Sequence, residues 1–97
     1  MSSTAISSGA LAVGTTTLVT GRAFLNSIQL IADGTNACSV IVYDDVAGSG
    51  KILLQLSLPA AGLDKDFRAG PAIRADIGLT VVVAGTGARA IVNHGAV

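Results

Sequence analysis

The chain has 97 residues, six Asp balanced by six Lys and Arg, no Glu, and only 12% charged residues, against about 25% in an average soluble domain. One domain with a modest core is expected, under a surface of Ser, Thr, Ala, Gly and Asn whose neutrality favours association. The cations are scattered singly, which excludes a phosphate-backbone-binding patch. No apolar run reaches the roughly 18 residues of a membrane helix, and no basic residue precedes Arg22 to begin a secretory signal, so neither is expected.

Residues 1–20 carry no charge and show only short apolar pairs. This stretch is read as an N-terminal extended arm or an edge strand, separate from a sandwich domain over 21–97. As an arm it would add a strand to a neighbouring sheet, with Ile6, Leu11 and Val13 as its contact residues.

From Phe24 the sequence reads as strands. In Phe24–Ala32 the two-residue period places Phe24, Ile28, Leu30 and Ala32 on one face, with Asn26 as the exception. Asp33-Gly34 marks a turn. Ala37–Asp44 is rich in β-branched residues, with Cys38, Val40 and Val42 sharing a face. Cys38, the only cysteine, is expected as an inert buried thiol, and its solitude disfavours a disulfide-stapled scaffold.

The loop that follows contains AGSGKI (residues 47–52), which superficially resembles the end of a phosphate-binding loop. Such a loop needs a Gly five positions before the Gly-Lys pair, a Ser or Thr after it and a helix beyond. Here Asp45 occupies the Gly position and Ile52 the hydroxyl position, and the next residues alternate as a strand to Leu58, stopped by Pro59. The expectation is therefore a Gly-rich turn between two strands.

Asp64–Ala69 alternates around Phe67, and its charges suit an edge strand. Gly70-Pro71 is read as a turn and Ala72–Ile77 as a short strand. Leu79–Ala84 is a nearly continuous β-branched run of the kind covered on both faces. Gly85–Gly87 turns the chain into a last strand over Ala88–Asn93. Short strands with turn residues in every connector, and no sustained helical period, predict an all-β, compact antiparallel β-sandwich of about six to eight strands, jelly-roll-like or immunoglobulin-like.

Chemistry is sparse. The single histidine, His94, is read as an exposed residue near the terminus, and no nucleophile–base pair or metal-ligand spacing accompanies it. Asp44-Asp45 reads as a turn cap rather than a calcium site. Asp64 and Asp66 share a strand face with Lys65 and Arg68 nearby and read as a solvated charge stripe rather than a glycosidase pair. No enzyme, cofactor or metal site is expected.

Gly21, Leu25, Ser27 and Ile28 open the core; Val42-Tyr43-Asp44 ends a strand; Gly48, Gly50, Lys51 and Ile52 form a turn and strand; and Gly78–Val82 precedes the last strands. This order resembles small β-sandwich virion proteins of tailed bacteriophages over residues 21–93. The family pattern ends its last strand in an aromatic or basic residue, whereas this chain ends it Asn93-His94-Gly95. The resemblance implies a capsid decoration (cement) protein, made in the host cytoplasm and located on the virion surface. Its partners would be the major capsid protein and further copies of itself, as a homotrimer, with neither nucleic acid nor membrane. A tail, neck or fibre component and a host-surface carbohydrate-binding module are the alternatives. Contact residues would be Ile6, Leu11 and Val13 together with Asp64, Asp66, Phe67 and Arg68, and an exposed Phe67 would favour the carbohydrate reading.

Overall fold

The computed structural model describes residues 6–62 and 64–96. They form eight strands: β1 (Ile6–Leu11), β2 (Gly14–Thr20), β3 (Ala23–Ile31), β4 (Cys38–Asp44), β5 (Lys51–Leu58), β6 (Lys65–Ala75), β7 (Gly78–Ala84) and β8 (Arg89–Ala96). Two four-stranded antiparallel sheets result, ordered β1-β8-β3-β6 and β2-β7-β4-β5. β6 pairs with β3 in two stretches, Lys65–Arg68 and Ile73–Ala75, with the chain looping out between them. Counted separately, these give the first sheet five strand segments.

The protein is a β-sandwich. Every connection except the β4–β5 hairpin passes from one sheet to the other. That connectivity is a jelly roll; an immunoglobulin-like sandwich would join its first two strands within one sheet. β5 lies against β6, so the edges β1 and β2 share the opposite side of the sandwich.

The core follows from alternation. Val40 and Val42 on β4, Leu79, Val81 and Val83 on β7, Leu25, Ile28 and Leu30 on β3, and Ala90 and Val92 on β8 are all essentially inaccessible. Burying each large aliphatic side chain contributes roughly 1.5–3 kcal/mol. β7 is covered on both faces, as its β-branched run predicts, because Thr80 is buried on the side away from the core.

Four local readings are corrected. Phe24 does not share a face with Ile28 and Leu30. The register of β3 against both β6 and β8 slips between Leu25 and Ser27, and this bulge at Asn26 reverses the alternation. Ala23 and Leu25 therefore face the core, while Phe24 points outward and is half-buried. Gly70-Pro71 does not end a strand; it lies inside the looped-out part of β6. The last strand runs past Asn93 to Ala96, and His94 is not exposed: it is 7% accessible, opposite Leu25 on β3. Its Nδ1 lies 3.3 Å from the Val92 carbonyl.

The stretch expected as an arm or an edge strand forms β1 and β2 over residues 6–20, joined by Ala12 and Val13. Residues 1–5 of the expected arm lie outside the described residues. β1 carries its own bulge at Ser8–Gly9, where the Ser8 hydroxyl accepts the Val92 N–H at 2.9 Å and substitutes for a ladder carbonyl.

Candidate functional site

The sheet registers place the outward side chains of the first sheet in rows. Ser7, Asn93, Ser27 and Arg68 form one row across β1, β8, β3 and β6; Ala10, Ile91, Gln29 and Asp66 form the next. Gly95, Phe24 and Arg74 form a row on the far side of Ser27. Between the first two rows lies a depression of about 130 Å³ lined by Ser27, Gln29, Asp66, Arg68, Ile91 and Asn93. The Asn93 side-chain amide donates to Ser27 Oγ at 2.7 Å, which fixes both groups. Gln29, Asp66 and Arg68 make no side-chain hydrogen bond or ion pair among the described residues, where the ion pair found is Arg74 Nε–Asp76 Oδ1 at 2.9 Å.

Phe24 lies one row beyond Ser27, outside this depression. The distal end of its ring lies over Gly95, in the space a Cβ there would occupy. Tyr43 is half-buried on the other sheet. Phe67 turns inward and packs against the core from the edge, so the aromatic on the outer face of this sheet is the half-buried Phe24 rather than Phe67. Sequence periodicity missed Phe24 because nothing in it marks the bulge at Asn26.

The expected contact residues fall at opposite edges of this one sheet. Ile6 and Leu11 lie on β1 and Val13 follows it; Ile6 and Val13 are 61% and 53% accessible, while Leu11 packs against the core. Asp66 and Arg68 lie on β6 facing outward, three inter-strand spacings away, about 14 Å. Asp64 precedes β6 rather than joining its face, and its Oδ1 accepts the Ala32 N–H at 3.2 Å.

The side of the sandwich formed by β1 and β2 contains no charged residue. Edge strands present unpaired N–H and C=O groups, and proteins ordinarily protect them with charges. The opposite edge β6 does so with Lys65, Asp66, Arg68 and Arg74, and β5 opens on Lys51. The β1/β2 side lacks that protection, leaving it open to strand addition or close apposition of another protein.

The Gly-rich loop between β4 and β5 folds back over the outer face of the second sheet. Thr80 Oγ1 donates to the Asp45 carbonyl at 2.7 Å and Thr17 Oγ1 donates to the Val46 carbonyl at 3.2 Å. Gly48 lies where an added Cβ would come within 3.2 Å of Val82 and 3.5 Å of Thr15. Gly48 thus serves close packing on the sheet and Gly50, at φ +103°, the turn itself, and the loop leads from strand to strand with no helix to receive a phosphate.

At the same end Asp44, 5% accessible, holds the β6–β7 turn. Its Oδ1 accepts the backbone N–H groups of Asp76, Ile77 and Gly78 at 3.0, 2.8 and 3.3 Å. The hydrogen bond from Ile77 is the main influence holding this carboxyl below its usual range; burial opposes it, and the other two N–H groups and Lys51 assist. Cys38 is buried beside a shallow apolar depression at the opposite end, lined in part by Leu58, Ala84 and Gly85. Burial pushes its thiol up, with Asp33 and Asp64 adding to the effect, which is the reverse of an activated nucleophile.

No protein-family model, curated protein or solved structure matches the chain.

Proposed function

We propose that the protein is a structural component of a tailed-phage virion that decorates the capsid exterior and strengthens the joints between major capsid subunits. The observation that carries this reading is the charge-free β1/β2 side, where two adjacent sheet edges stand without charged protection. Such an edge pair suits a protein whose side is covered by a partner, and the sparse surface charge suits a crowded assembly. Jelly rolls recur in viral capsid domains, which supports the reading by fold analogy. In this reading β1, with Ile6 and Val13 at its two ends, docks on the capsid subunit. Copies cluster as trimers around local threefold positions, one of the closed symmetries open to identical copies.

The test is the copy number of this protein relative to the major capsid protein in purified particles. A ratio near one per capsid subunit is expected. A handful of copies per particle would replace the reading with a tail, neck or fibre component, and absence from particles would overturn it.

A further inference from the structure

We propose that the depression on the outer face of the first sheet is a binding site for a neutral saccharide. The inference does not depend on the virion reading, because it rests on the side chains of this face alone.

Five polar side chains surround the depression, and their hydrogen-bonding capacities differ. Asp66 offers only acceptors and Arg68 only donors, while Gln29, Asn93 and Ser27 offer both. The Asn93–Ser27 hydrogen bond uses one amide hydrogen, leaving the Asn93 carbonyl oxygen and the Ser27 hydroxyl hydrogen for a ligand. A polyhydroxylated ring, each of whose hydroxyls donates and accepts, matches this mixture; an all-acceptor or all-donor ligand would leave half of it unanswered.

Charge selects the same class. Asp66 and Arg68 lie two residues apart on β6 and face the same side, so the site has one charge of each sign and is neutral in sum. Arg68 would attract a phosphate, but Asp66 beside it would repel one.

Size and apolar surface also agree. Three strands and two residue rows span about 10 Å by 7 Å, the scale of one sugar ring rather than of a drug-sized ligand, whose pockets begin near 300 Å³. Ile91 supplies an apolar patch inside the depression for the C–H face of a sugar. All these residues stand on strands, which hold their positions better than loops do.

The experiment is a heteronuclear NMR titration of the intact free chain with the methyl glycosides of glucose, galactose and mannose, and with inorganic phosphate for comparison. At least one glycoside should give saturable shifts confined to Ser27, Gln29, Asp66, Arg68, Ile91, Asn93 and their neighbours. Asp66→Asn and Gln29→Ala, both at exposed positions, should each weaken binding at least about tenfold while leaving the rest of the spectrum in place. Localised shifts with none of the three glycosides, affinity indifferent to both substitutions, or a stronger response to phosphate would overturn the proposal. Because no particle is involved, failure here leaves the capsid reading standing, and the copy-number measurement leaves this one standing.

Discussion

The carboxylate of Asp44 accepts the Ile77 N–H at 2.8 Å, and through it the last residue of β4 holds the crossover that brings β6 out of the first sheet into β7 of the second. Two further N–H groups, of Asp76 and Gly78, converge on the same oxygen. One side chain thus satisfies three consecutive donors across the tight turn into β7. Asp44→Ala would leave these donors without their acceptor in a partly buried place and should cost about 1–3 kcal/mol. Asp44→Asn keeps an acceptor but loses the charge and should cost less. Urea unfolding of the three proteins at neutral pH checks the order; equal stability of all three would show the turn to be self-supporting.

The same contact fixes a pH dependence. The Asp44 carboxyl is held below its ordinary 3.8, first by the Ile77 N–H. A depressed folded-state value means that the unfolded chain takes up the proton more readily. The stabilisation is therefore fully present above the unfolded value and is lost as pH falls through the folded one. Wild type and Asp44→Asn should differ in melting temperature at neutral pH and converge as the pH falls below about 4. Asp33 is shifted in the same direction, chiefly by the N–H of Asn36, but it is exposed, so Asp33→Asn should move the acid limb little. A difference between wild type and Asp44→Asn that persists unchanged into acid would exclude the carboxylate as its source.

Gly85 is the position least able to accept a side chain. Its φ is +111°, and an added Cβ would lie 2.5 Å from the Ala37 carbonyl and 2.7 Å from the Cys38 backbone. Backbone cannot move aside as a side-chain tip can, so Gly85→Ala should destabilise by about 2 kcal/mol or more. Gly48→Ala, which meets only side-chain atoms of Val82 and Thr15 and has no positive φ, should cost less. Thermal melts of the two variants give the comparison directly, and a milder effect at Gly85 would contradict the close approach of the β7–β8 turn to β4.

The class of fold was legible because short β-branched runs and turn residues leave no room for helices, and the alternation in Cys38–Asp44 gives its core face directly. The alternation failed where the backbone inserts a residue. The bulge at Asn26, which has no distinctive residue signature, turned Phe24 outward, and the bulge at Ser8–Gly9, marked only by an isolated glycine at φ +70°, split the register of β1. The choice between jelly roll and immunoglobulin topology depends on which sheet each strand joins, a long-range property absent from local patterning. His94 illustrates the same limit: a lone histidine near the C-terminus reads as exposed until β8 is seen running between β1 and β3. Of the candidate contact residues, Asp66 and Arg68 line the depression, whereas Gln29 and Asn93 could be brought beside them only by the registers of three separate strands, β6, β3 and β8.

Protecting the bare side of the sandwich supplies the last prediction. Ile6 and Val13 flank β1, are the most exposed large apolar residues on that side, and make no large contribution to the core. Ile6→Lys and Val13→Lys should change unfolding stability by no more than about 0.5 kcal/mol, as is usual for exposed substitutions. Both place on the β1 side the charge that edge strands normally carry against unwanted pairing. If this side is where the chain meets its own copies and the capsid subunit, sedimentation should show a shift toward monomer, and occupancy on reconstituted particles should fall. Asp66→Asn, on the opposite edge, should alter neither. Unchanged association and occupancy in both lysine variants would remove β1 as the docking edge and direct attention to the outer face of the first sheet instead.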